Sequence, residues 1–225
     1  AITDVVAVWL AFLVLTIAGE RLELTRFLPP SSVASRVFAG ILVVIGAGLL
    51  DASSAAGIAL FAAGLLALSV WLLKQDIARR TIRTTGLPRF VAACVLSGYA
   101  WLAIGAVTML TSGFAAGSRS YDAAIHAVAL GFVFAMVFAH APLIVPAVLK
   151  VVLPFHPSFY VPLVLLHGSL VLRFCGDIAD RAPWLRAGAM LNVFALAAFG
   201  IALLSVGLRE QQRSRQTIAA EARGE

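Results

Sequence analysis

The chain has 225 residues, of which 61% are hydrophobic and only 12% charged, with a formal net charge of +6. Soluble domains carry about a quarter charged residues, so this composition and a mean hydropathy of +0.98 exclude a soluble globular fold. The basic excess calls for no nucleic-acid partner, because topology and anionic lipid headgroups account for it.

The apolar residues fall in blocks close to the roughly 20 residues that a helix needs to cross a bilayer. Lipid offers the backbone no hydrogen-bond partners, so such blocks must be helices or a closed barrel. They do not alternate in ten-residue segments, which excludes the barrel. The predicted fold class is therefore all-α, a polytopic helical bundle of about seven transmembrane helices set in a lipid bilayer. The spans run from Ile2 to Gly19, Val33 to Leu50, Ala55 to Leu73, Leu87 to Leu110, Ala123 to Leu149, Phe159 to Cys175 and Trp184 to Leu208. They form one domain, residues 1–208, followed by a polar tail, residues 209–225. The first span has no basic n-region and carries Asp4 at its start, so it reads as a genuine helix rather than a signal peptide. Ala1 is not an initiator methionine, which leaves room for residues upstream.

Basic residues set the orientation. Arg21, Arg26, Arg36, Lys74, Arg79, Arg80, Arg83, Arg89, Lys150 and the tail arginines lie on one side, against Arg119, Arg173, Arg181 and Arg186 on the other. The first side is expected to be cytoplasmic, with the N-terminus outside and the C-terminus inside, in a multi-pass protein of a bacterial inner membrane. Glu20, Arg21, Glu23 and Arg26 are expected to pair among themselves and anchor the first span at the inner interface, or else to clamp haem propionates or bind a partner subunit. Arg173, Asp177, Asp180 and Arg181 read as ion pairs anchoring the outer end of the sixth span, or else as a clamp for haem propionates or a partner subunit. Cys94 and Cys175 have no CxxC spacing and read as packing residues.

The chemistry concentrates in four histidines. His126 and His140 share the fifth span, 14 residues and roughly 21 Å apart at 1.5 Å per residue, a spacing close to four helical turns, so they are expected to face nearly the same way. Asp122 and Met136 each lie one turn before a histidine, on its face. His167 lies midway along the sixth span and is expected at the depth of His140. His156 falls in the connection between the two spans and reads as an interfacial residue. Ionisable groups inside a bilayer are costly and are functional candidates by default, and neutral imidazole ligates haem iron, copper or zinc. A single intramembrane histidine is more often a hydrogen-bonded helix contact, but the set His126, His140 and His167 points to metal or haem. Met136 reads as packing or as a soft ligand for Cu(I), and Asp122 as an acceptor orienting His126. Pro142 and Pro146 each remove an N–H and are expected to kink the helix just past His140.

The strings Tyr121-Asp122-Ala123-Ala124-Ile125-His126, Gly131-Phe132, Met136, His140-Ala141-Pro142, His167-Gly168-Ser169 to Arg173 and Asp177, and Gly19-Glu20-Arg21-Leu22-Glu23-Leu24 resemble the NnrS-type haem–copper membrane proteins and their bacterial relatives. The resemblance covers mainly the fifth and sixth spans. It implies haem b and/or copper held by His126, His140 and His167, with a role in electron transfer, nitric oxide response or gas and metal handling. The alternatives are an accessory subunit of a larger membrane complex or a homo-oligomer, and, third, a small transporter with the proline-bearing fifth helix along its path. The sequence has no Walker or dinucleotide fingerprint and no Ser/His/Asp constellation.

Overall fold

The structure is a computed structural model that describes residues 2–24, 31–149 and 153–224. Helix α1 covers Ile2–Leu24, α2 Ser32–Leu50, α3 Ala55–Gln75, and α4 is a single turn, Ala78–Thr81. Helix α5 covers Gly86–Ser112. The fifth span is α6 (Arg119–His126), a π-helical segment (Ala127–Phe134) and α7 (Ala135–Leu149) in one continuous rod. A 3-10 turn at Pro157–Phe159 leads into α8 (Tyr160–Ile178), and α9 covers Ala182–Gly224, through the polar residues after Arg209. Among the described residues, seven helices are long and apolar enough to cross a membrane. The predicted spans agree with these helices to within a few residues at most edges.

Local chemistry starts these helices. Ser31, Ser54 and Ser118 stand at N-caps, accepting from the amides of Ala34 (3.2 Å), Gly57 (2.9 Å) and Tyr121 (3.1 Å), which satisfies amides that have no carbonyl partner at a helix start. Small residues then bring the helices together. A Cβ on Gly48 would run into the backbone of Phe61, so α2 and α3 approach closer than any larger residue allows. Trp71 locks the same pair, its indole N–H donating to the carbonyl of Ala34 at 3.0 Å.

One end of the bundle, called here the basic end, gathers the last turn of α1, the start of α2, the end of α3, α4, the start of α5 and the α7–α8 connection. Arg36, Lys74, Arg79, Arg80, Arg83 and Arg89 are exposed there. Arg26 and Lys150, and the side chains of the arginines beyond Arg209, lie outside the described residues. Arg21 departs from expectation. Its guanidinium turns inward and donates to both oxygens of Asp76, with contacts of 2.9, 2.7 and 2.7 Å, and the two residues are 6% and 5% exposed. Asp76 also accepts from the Tyr99 hydroxyl at 2.5 Å and from the Ala78 amide at 2.8 Å. Tyr99 sits in the middle of α5, and its side chain leans toward the helix N-terminus, as helical side chains do, which carries the hydroxyl to Asp76. Ser69 of α3 closes the cluster by donating to the Tyr99 carbonyl at 2.7 Å. The expected pairing of Arg21 with Glu20 is thus replaced by a buried bond across 55 residues, because a carboxylate already ringed by donors holds the guanidinium out of lipid.

The fifth span departs in a second way. Helix α7 runs through Pro142 and Pro146 to Leu149, and regular α geometry is also lost ahead of His140, in the π segment. In a π-helix each N–H reaches five residues back, so each residue turns the chain less than the roughly 100° of an α-helix. Eight such residues rotate everything beyond them, and the shared face expected for His126 and His140 is lost. Gly131, inside the segment, lies flat against Trp101 of α5, whose ring occupies the place of a Cβ.

Truncating Asp76 to Ala would strand Arg21 in the interior, which is expected to cost about 3–5 kcal/mol. Tyr99→Phe removes one hydrogen bond to a charged group and is expected to cost about 1.5–3 kcal/mol. Thermal unfolding of the detergent-solubilised protein checks this order, and a smaller loss for Asp76→Ala than for Tyr99→Phe would contradict it.

Candidate functional site

His126 ends α6 with its Nδ1 2.7 Å from the carbonyl oxygen of Asp122. A carbonyl only accepts, so Nδ1 carries the ring proton and Nε2 keeps its lone pair. Asp122 makes this short contact through its backbone. Of the carboxylate oxygens, Oδ1 lies 3.4 Å from Nδ1, while Oδ2 accepts from Arg173 of α8 at 3.2 and 2.7 Å. This ion pair ties α6 to α8. His126, Trp101, Leu170, Arg173 and Asp177 enclose a space too tight for a water molecule.

His140 repeats the pattern one span-half away. Its Nδ1 lies 2.7 Å from the carbonyl of Met136, so Nε2 again keeps its lone pair. The surroundings differ. His140 lines a groove of about 330 Å³ between α1 and the fifth span, with Ile17 and Glu20 on one wall and Val133, Met136 and Ile144 on the other. Val137 and Ile144 are exposed at its mouth, so the groove opens sideways, toward lipid. The Met136 side chain is 2% exposed and reaches Gly98 of α5.

His167 has the opposite tautomer. The indole of Trp101 donates to its Nδ1 at 2.9 Å, with the rings nearly parallel and their centroids 6.4 Å apart. An indole N–H is a donor only, so Nδ1 holds the lone pair and the ring proton lies on Nε2. That Nε2 is buried with no hydrogen-bond partner. His156 is exposed in the α7–α8 connection, bonded through Nδ1 to Ser158.

The structure thus puts the three intramembrane histidines in three surroundings. His126 faces α8 and Trp101, His140 faces α1, and His167 faces α5. His140 and His167 line no common cavity among those described here. Among the described residues, no group of three or more His, Cys, Asp or Glu is arranged to hold a metal ion. Sequence reasoning missed Trp101 as the partner of His167, 66 residues away, and Asp76 and Tyr99 as the partners of Arg21. Opposite charges at the ends of the first and third spans were the available signal for the second.

Trp101→Phe keeps the ring and removes the donor. It is expected to cost about 1–3 kcal/mol, the penalty for an unsatisfied buried acceptor, and to let Nδ1 of His167 take the proton. Imidazole 15N shifts of selectively labelled protein read the tautomer, and an unchanged spectrum would contradict the assignment.

No curated protein and no solved structure matches the chain. Residues 1–208, all seven spans, match a family described as a domain of unknown function, DUF8744, and the chain belongs to that family.

Proposed function

We propose that the protein is a multi-pass protein of a bacterial inner membrane, basic end cytoplasmic, that binds haem through His140 and serves electron transfer or gas handling of the kind the NnrS resemblance implies. The observation behind this reading is the bond from His140 Nδ1 to the Met136 carbonyl. A histidine whose second nitrogen donates to a backbone carbonyl is a fixed, more basic ligand, and here its free Nε2 belongs to a groove that a flat apolar group can enter from the lipid.

The three histidines differ in fit. The space beside His126 is too tight for a cofactor. His167 keeps its proton on the nitrogen that would have to ligate, as long as Trp101 donates to the other. Copper would need more donors than His140 and Met136 supply. His140 would supply one ligand nitrogen to the iron. Bound haem supplies one-electron or gas-binding chemistry, tuned by its axial ligand and burial. The chain itself holds the imidazole in one tautomer, lines the groove with Val133, Ile17 and Ile144, and brings the Glu20 carboxylate to it for proton exchange.

A second reading, a subunit of a larger membrane complex or a homo-oligomer, draws on the same observation, because a single histidine in a groove open to the side would leave any second ligand to come from a partner.

Protein taken from its native membrane is expected to show a Soret band that shifts on dithionite reduction. His140→Ala is expected to lose that band, while His167→Ala keeps it. No Soret band and no stoichiometric iron would overturn the haem reading, and loss in His167→Ala with retention in His140→Ala would overturn the ligand assignment.

A further inference from the structure

The basic end holds a groove that the histidines of the fifth span do not share. Near the end of its apolar stretch, α9 passes the connection into α8, and the two frame an open hollow of about 460 Å³. Its lining is graded along the bundle. His156 and Ser158, in the connection, and Arg209, where the last apolar span ends, supply polar groups. One turn into α8 and up to three turns back along α9, the walls are Val161, Ile201 and Ala198. The eleven residues from Ala198 to Arg209 span roughly 16 Å at 1.5 Å per residue. Val161 and Ile201 are exposed, so this apolar stretch opens sideways, to lipid.

The polar end is positive and rich in hydrogen-bond donors. Arg209 is exposed and makes no ion pair with any described residue. No described acidic residue lines the groove. The Ser158 amide donates to Nδ1 of His156 at 3.2 Å, and the Ser158 hydroxyl lies 2.8 Å from the same nitrogen. With Nδ1 accepting, the ring proton lies on Nε2, and a protonated ring would carry a hydrogen there as well. Nε2 is therefore a donor in either state. Ser205 spends its hydrogen on the Ala202 carbonyl at 3.0 Å, which leaves the guanidinium and the imidazole as the side-chain donors facing an anion. Guanidinium bonds phosphate oxygens strongly, and basic residues at a membrane surface attract anionic lipid.

We propose that this groove seats one anionic phospholipid, its phosphate held by Arg209 and His156 Nε2–H and an acyl chain lying along Val161, Ile201 and Ala198. A headgroup at the polar end and a chain running inward match the grading of the walls, and charge complementarity selects an anionic lipid over a zwitterionic one. The site is separate from the His140 groove and does not depend on haem binding there.

The test is native mass spectrometry of the full chain in detergent, titrated with phosphatidylglycerol or with phosphatidylcholine of the same acyl chains. The first phosphatidylglycerol is expected to bind saturably and at lower concentration than phosphatidylcholine. Arg209→Gln is expected to weaken that binding about tenfold or more, as loss of a charged hydrogen-bond donor does. Arg83→Gln, an exposed arginine at the same end but outside the groove, is expected to weaken it less. Ala198→Phe fills the apolar stretch without touching a charge and is expected to weaken it as well. All three positions are on the surface, so the variants are expected to fold. Equal binding of the two lipids would overturn the proposal, and so would equal losses in Arg209→Gln and Arg83→Gln, the mark of diffuse surface attraction. Undiminished binding in Ala198→Phe, or displacement of the lipid by an equal concentration of glycerol 3-phosphate, would show a site for a free phosphoester and overturn it equally.

Discussion

Arg21 and Asp76 cancel each other's charge inside the bundle, and the packing of α1, α3 and α5 at the basic end depends on that cancellation. Moving either group alone into an apolar interior is costly, and removing one partner of a buried pair leaves the other uncompensated. Here the carboxylate also accepts from three partners. Asp76 accepts from Arg21, from the Tyr99 hydroxyl and from the Ala78 amide, so the same carboxylate fixes where α1 sits, how α5 faces α3 and where the single turn of α4 begins. One carboxylate therefore ties four helices of the chain at one point.

The histidines obey the same constraint with different results. Each ring has one proton when neutral and must place it where the surroundings can accept it. Backbone carbonyls take it from Nδ1 of His126 and His140. An indole donor leaves it on Nε2 of His167. Residues that look equivalent in the sequence are thereby separated into two rings with a free outward nitrogen and one without. Groups that bond a carbonyl one turn back and groups that take a bond from another helix carry different chemical potential, although all three are imidazoles within apolar spans.

Much of the architecture is legible in the amino-acid sequence because transmembrane hydropathy is a local quantity. Twenty apolar residues announce a helix without reference to anything distant, and the seven spans were readable for that reason. What the sequence hides is long-range or phase-dependent. Arg21 looked like one more interfacial arginine, since its partner lies 55 residues on and a lone aspartate at a span's end reads as a boundary. His167 gave no hint of Trp101. The stretch Ala127–Phe134 is an apolar run like any other, and no residue in it signals that its hydrogen bonds reach five residues instead of four. The Asp122–His126 spacing was informative because it is a helical neighbour relation, and even there the backbone rather than the carboxylate makes the short bond.

The π segment gives the fifth span a coupling that a uniform helix lacks. Its register stores a rotational offset between α6 and α7, so the two halves answer to different neighbours: α6 to α8 through Asp122 and Arg173, and α7 to the wall of α1. Rewinding these eight residues to regular α geometry without a deletion would turn everything beyond them by on the order of 100°, taking His140 off α1 while His126 stayed in place. The rod therefore behaves as a shaft with a keyed joint at Gly131, where the ring of Trp101 is the key.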